Sequence, residues 1–110
     1  MANLGEFEQI ILFSVLNLED DACGVSIRDS IIERTGRNAS SGAVYTTLGR
    51  LEDRGLVEST EGAGESRRRG RPRKYYRLTA RGAQALMQSY QAMQAMAGDS
   101  IPKLAELAEG

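Results

Sequence analysis

Arg67-Arg68-Arg69-Gly70-Arg71-Pro72-Arg73-Lys74-Tyr75-Tyr76-Arg77-Leu78 is the stretch on which the reading of this chain turns. Six of its first eight residues are basic, and with Arg77 and Arg81 they make eight of the 14 basic side chains. No acid interrupts them, so all 15 acids share the rest of the chain with the other six basic residues. Like charge at this density repels itself, and a polyanion relieves the repulsion, which makes nucleic acid the expected partner. Standing free, such a run would be a solvated, disordered tail. Tyr75 to Leu78, however, reads as a strand, with Tyr76 and Leu78 on one face and Tyr75 and Arg77 on the other. The arginines therefore belong to a turn.

The partner strand is Leu56 to Thr60, with Val57 opposite Glu58, and Glu61 to Ser66 forms a flexible loop that opens into the basic tip. Ahead of this hairpin the spacing predicts a helix from about Ser41 to Arg54, capped by Ser40 or Ser41 and ended by Gly55. Val44, Leu48 and Leu51 mark its buried face. Opposite them lie Gly42, Thr46, Gly49 and Arg50, with Tyr45 on the flank. Small and hydroxylic residues suit a surface that closely approaches another, although an ordinary amphipathic helix can carry such a face by chance.

Two helices precede it. Leu4, Phe7, Ile11, Val15 and Leu18 form an apolar stripe on the first, from Leu4 to about Leu18, while Ile10, Leu12, Phe13 and Leu16 cover much of the remaining circumference. A helix apolar nearly all round is buried on more than one side, which a partner chain would provide. The second runs from about Val25 to Thr35, with Ile27 and Ile31 inward and Gly36 as its stop. After the hairpin, Thr79 caps a helix reaching about Ala97, with Ala83, Leu86, Tyr90, Met93 and Ala97 in series and Met87 beside them. No charged residue occurs from Gly82 through Gly98. That composition fits a helix enclosed between subunits, or else a core helix of the same chain. Pro102 suits the first turn of a short final helix bearing Leu104 and Leu107, although this part could equally fray.

The expected fold class is mainly α with a small β-hairpin (α+β), in the order of a winged helix-turn-helix domain whose third helix enters the major groove. Residues 1–78 form that DNA-binding domain, the first helix also serving a dimer interface, and residues 79–110 form a C-terminal dimerisation helix with a short tail. Composition narrows the chemistry. The chain has no histidine, so His-based catalysis and His-ligated metal sites are absent, and no phosphate-binding glycine loop or nucleophile elbow occurs. Neither an enzyme, a metal nor a cofactor is expected. Cys23 is the single cysteine, which excludes an internal disulfide and suits a reducing compartment; it reads as passive rather than as a redox sensor. Acids at Glu6 and Glu8 and the lack of a long apolar run predict a cytoplasmic protein with no membrane role.

Ala43-Val44-Tyr45-Thr46-Thr47-Leu48-Gly49-Arg50-Leu51-Glu52-Asp53-Arg54-Gly55-Leu56-Val57 resembles the recognition helix and strand entry of PadR-type transcriptional regulators. Gly70-Arg71-Pro72-Arg73-Lys74-Tyr75-Tyr76-Arg77-Leu78-Thr79-Ala80-Arg81-Gly82 resembles that family's wing and following cap. The resemblance covers roughly Ile10 to Ala85 and implies a homodimeric DNA-binding repressor. It implies that Tyr45 contacts the DNA backbone, that the third-helix face reads bases, and that Arg71, Arg73 and Lys74 meet backbone or minor groove. The chain departs from some members in having no tryptophan, so their aromatic drug site is not carried over to it, and it has the short C-terminal part of the smaller branch.

The expected contacts to double-stranded DNA are thus Ser41, Gly42, Tyr45, Thr46 and Arg50 on the third helix, and Arg67, Arg68, Arg69, Arg71, Arg73 and Lys74 on the wing. The expected dimer contacts are Phe7, Ile10, Phe13, Leu86, Met87, Tyr90, Met93 and Ala97. A small-molecule inducer could enter between the dimer helices beside Phe13, Met87, Tyr90 and Met93; simple packing is the competing role. Arg69-Gly70-Arg71-Pro72-Arg73 also resembles an AT-hook core, an arginine ladder for the narrow A·T-rich minor groove. Two rival readings follow, a winged-helix protein-interaction module and an architectural A·T-rich DNA binder.

Overall fold

The computed structural model describes residues 4–62 and 73–110. Its helices are α1 (Glu6–Leu18), α2 (Gly24–Thr35), α3 (Ser41–Asp53), α4 (Ala80–Ala97) and α5 (Ser100–Glu109), and its strands are β1 (Val57–Glu61) and β2 (Lys74–Leu78). A 3-10 turn over Glu19–Asp21 joins α1 to α2. The strands pair antiparallel with Val57 opposite Leu78 and Glu61 opposite Lys74. On its other edge β2 meets Ala22 and Cys23: the Tyr76 N–H donates to the Ala22 carbonyl at 2.8 Å, and Cys23 bridges Tyr75. The hairpin is thereby tied to the entry of α2. The arrangement is the expected α+β fold, three helices followed by a wing.

Local chemistry explains the boundaries. Gly36 ends α2 at φ 71°, a left-handed conformation that suits glycine. The Ser40 hydroxyl accepts the Ala43 N–H at 3.1 Å and caps α3. Thr79 does more than cap α4. Its hydroxyl accepts the Gly82 N–H at 3.0 Å and donates to the Gly55 carbonyl at 2.7 Å, while its own N–H donates to the Leu56 carbonyl at 3.1 Å. One side chain thus locks α4 onto the turn that ends α3. Thr79→Ala should cost about 1–2 kcal/mol, one cap and one tertiary hydrogen bond, and lower Tm by roughly 5–10 °C in calorimetry.

The core lies where the helices meet the hairpin. Ile27 and Ile31 from α2, and Val44, Leu48 and Leu51 from α3, close on Leu56, Val57 and Tyr76. On α1 the buried set is Ile11, Leu12, Ser14 and Val15, so Leu12 and Ser14 join Ile11 and Val15 of the expected stripe. Leu4, Phe7 and Leu18 are half-buried at its margin, and α1 starts at Glu6 rather than Leu4. The reason is that α2, α3, α4 and β2 all pack on α1, which broadens its buried face beyond one line of residues. Gly82, Ala85 and Leu86 of α4 also enter this core. Beyond Leu86 the helix leaves the domain, and with α5 it stretches the chain to 54 × 31 × 20 Å.

Candidate nucleic-acid interface

The outer face of α3 carries Ser41, Gly42, Tyr45, Thr46, Gly49 and Arg50, all exposed. A Cβ added at Gly42 or Gly49 would meet nothing within 4 Å. The chain's own packing therefore gives no reason for either glycine, and each lowers helix propensity by about 1 kcal/mol relative to alanine. Bare backbone on this face is free to approach something outside the chain.

Tyr45 is placed by a contact that the sequence did not reveal. A Cβ at Gly24 would lie 2.3 Å from the Tyr45 ring, so the tyrosine rests directly on the first residue of α2. Its neighbour Cys23 caps that helix. The Ser26 hydroxyl accepts the Cys23 N–H at 3.0 Å, and the two side chains approach to 3.4 Å. Arg73 and Tyr75 at the root of the wing reach the same point. Burial pushes the Cys23 thiol up, but hydrogen bonds from Ser26, the Arg73 guanidinium and the Val25 backbone outweigh it and leave the thiol below its ordinary value. The nearby sulfur and the Tyr75 hydroxyl push the Arg73 pKa further up, so its charge is constant. Tyr76 stays protonated above the ordinary tyrosine range because it is buried, with Glu52 and Tyr45 near it.

The result is a continuous ridge from Tyr45 across the start of α2 to Arg73 and Lys74. Arg73 and Lys74 are exposed. Arg67, Arg68, Arg69 and Arg71 lie outside the described residues. Arg77, further along β2, pairs with Glu58 at 2.6 Å. Gly24→Ala should retain the fold and displace Tyr45, weakening DNA binding by at least about tenfold, one hydrogen bond to a charged phosphate being worth roughly 1.5–3 kcal/mol. Titration of a labelled duplex would measure it.

The residues expected at a dimer contact divide into two groups. Met87, Tyr90 and Met93 are exposed on α4, at 55%, 48% and 62%, while Ala97, Ile10 and Phe13 are half-buried. Tyr90 sets its ring edge-on to Phe13, with centroids 5.6 Å apart. Leu86 instead lies in the chain's own core at 4% exposure. It is one turn closer to the domain than Tyr90, where α4 still rests on Leu56. Phe7 packs against the core margin under the Arg37 guanidinium, 5.7 Å from the ring centroid, and Arg37 also pairs with Glu6. Cys23, Gly24 and Ser26 were not singled out for this ridge from sequence; a glycine opening a helix was the one available sign.

Among the described residues no cluster of acids and cysteines could hold a metal ion, and no helix is long and apolar enough to cross a membrane. Comparison with solved structures finds the same architecture elsewhere. A PadR family transcription regulator from Clostridium difficile is 28% identical, with a TM-score of 0.71 over 89% of this chain and 98% of that one. One from Eggerthella lenta is also 28% identical, with a TM-score of 0.65 over 92% and 87%. A PadR-like regulator from Bacillus cereus, at 24% identity and a TM-score of 0.69 over 90% of both chains, shares the fold. No curated protein matches the sequence. The model of the transcriptional regulator PadR-like family matches residues 12–88, from the middle of α1 into α4, and the chain belongs to that family.

Proposed function

We propose that this protein is a sequence-specific DNA-binding transcriptional regulator that works as a homodimeric repressor on a near-palindromic operator. Residues 1–78 supply the reading head and residues 79–110 the arm that joins two copies. The observation that carries the reading is the ridge linking the α3 face to the basic wing root through Tyr45, Gly24 and Cys23. It lets one helix enter the major groove while the wing lies along the adjacent backbone.

Division of labour follows from the side chains. Arg73, Lys74 and the wing arginines supply affinity through phosphate, each neutralised phosphate contributing about 0.9 to the salt slope. Thr46 and Arg50 supply choice of sequence, one good arginine–guanine pair being worth about 1–3 kcal/mol. Met87, Tyr90, Met93 and the still more exposed Met96 leave the arm with exposed, uncharged apolar surface, and this supports pairing of two copies. Tyr90 already uses its ring on Phe13, which favours a packing role over the lining of an inducer cavity. Repression is steric exclusion of the transcription machinery from the occupied operator. Acting on DNA, the protein belongs in the cytoplasm.

Selection of bound sites from random duplexes with the purified protein tests the proposal. The expected product is a symmetric motif with half-sites about 34 Å, one DNA turn, apart. Broad A·T-rich recovery with no symmetry would instead favour an architectural binder, and absence of salt-sensitive binding would favour a protein-interaction module.

A further inference from the structure

The ridge described above uses the outer side of α3 and leaves its flank toward the hairpin without a role. α3 ends at Asp53 and β1 begins at Val57, so Arg54, Gly55 and Leu56 alone separate helix from strand. Gly55, at φ 75°, is the bend of this link. Main-chain bonds close it: the Gly55 N–H donates to the Glu52 carbonyl at 2.9 Å, and the Leu56 N–H to the Leu51 carbonyl at 2.9 Å. A joint this short fixes where the strand starts. It does not by itself fix the direction of the strand, because a small rotation at Gly55 grows with distance along the hairpin. Val57 is buried at the root and Glu61 is exposed at the outer end. Between them the Ser59 hydroxyl donates to the Glu52 carboxylate at 2.6 Å, and both residues are half-buried. Among the described residues this is the one side-chain hydrogen bond joining α3 to either strand. Nor does Glu52 pair with a cation among them, although the chain is rich in arginine. Its carboxylate is committed to the strand.

We infer that Glu52 and Ser59 form a brace that sets the angle between the reading helix and the wing, and that this angle helps to decide which DNA is bound. The inference rests on the DNA-reading function proposed above. Tyr45 stands seven residues before Glu52, about two turns along the same flank of α3. Across the hairpin Ser59 is opposite Tyr76, and Glu61, two residues further out, is opposite Lys74. Tyr76 is buried beside Glu52 and stays protonated, so it brings no second negative charge to the brace. A rigid angle gives Thr46 and Arg50 a constant offset from Arg73 and Lys74. Only a duplex whose groove matches that offset satisfies base-reading and phosphate-binding groups together. Random DNA is held through phosphate alone, which tolerates a loose angle. Glu52 and Ser59 are therefore positioning residues, acting on specificity through the elements they join.

The full-length chain with Ser59→Ala, and with Ser59→Thr as the conservative variant, tests this by titration of the selected operator and of a random duplex. Ser59→Ala should weaken operator binding about tenfold, the scale of one hydrogen bond to a charged group, and leave random-duplex affinity and its salt slope unchanged. Ser59→Thr keeps the hydroxyl and suits a strand, so it should restore operator binding. Hydrogen exchange in the free protein reads the brace without DNA. Amides of β1 and β2 should exchange faster in Ser59→Ala than in the wild type or in Ser59→Thr, while those of α3 hold their rates. Loss of operator and random binding together, or of neither, overturns the role in specificity. Unchanged exchange in the hairpin overturns the brace itself. A wild-type chain with no preference for any duplex overturns the proposed function instead, and the exchange rates still decide whether the brace exists.

Discussion

Gly82→Ala is expected to destabilise the domain by more than about 3 kcal/mol, enough to unfold much of a protein whose total stability is of the order of 5–10 kcal/mol. The new methyl group would lie 1.9 Å from the Leu56 carbonyl oxygen and 2.9 Å from its carbon. Both are backbone atoms, so no side chain can swing aside. Nor is the carbonyl free to move, because it accepts the Thr79 N–H that anchors α4. The strand entry and the helix approach so closely because position 82 has no side chain. Gly42→Ala and Gly49→Ala are the internal control. Open space surrounds both, so each should stabilise the fold by about 0.5–1 kcal/mol through helix propensity alone. Urea unfolding of the three variants separates a glycine kept for internal packing from two kept for an outside surface. The same two α3 variants should bind operator DNA more weakly despite their greater stability.

Neutralising the wing should have the largest effect on binding. With Arg67, Arg68, Arg69, Arg71 and Arg73 all changed to glutamine, the slope of log K against log salt should fall by up to about 4.5 per protomer, five contacts at about 0.9 each. Affinity at moderate salt should drop by several orders of magnitude for operator and random DNA alike, since phosphate contacts carry no base identity. Arg50→Ala should behave in the opposite sense. It should leave the slope almost unchanged and cost about 1–3 kcal/mol at the operator alone, relaxing the preference at one base pair of each half-site. Titrations of both duplexes at several salt concentrations measure the two effects together. A wing variant that kept its salt slope would remove the polyanion from the account of the basic run. Within the wing, Arg71→Ala distinguishes an arginine ladder from plain phosphate contact: the ladder requires a greater loss on A·T-rich than on G·C-rich sites.

The elements and their order were legible in the chain because each rests on local rules. Gly36 and Gly55 adopt the positive φ that ends a helix, Ser40 and Thr79 cap the next ones, and alternation in Tyr75 to Leu78 marks the strand. Period 3.6 identified the inward faces of α2 and α3 through Ile27, Ile31, Val44, Leu48 and Leu51. On α1 it named Ile11 and Val15, while the apolar circumference was expected to be buried on more than one side. Leu12 and Ser14 are buried there because several elements converge on one helix, and no repeat along the sequence encodes how many neighbours a helix will have. Leu86 follows the same periodicity as Tyr90 and Met93, yet it lies on the portion of α4 covered by its own domain.

What the sequence determined by itself was the kind of surface: a concentrated positive charge in the segment between β1 and β2, a helix face stripped of bulk, and an uncharged arm. These are properties of composition and of nearest neighbours along the chain, and they survive any arrangement in space. What the tertiary structure decided was which of them share a side. Tyr45 rests on Gly24, Cys23 bridges Tyr75, and Arg73 returns to Cys23, so residues some 20 to 50 positions apart become one ridge. Contacts of that range depend on how helices and hairpin close around a common core, where packing fixes the geometry and periodicity is silent.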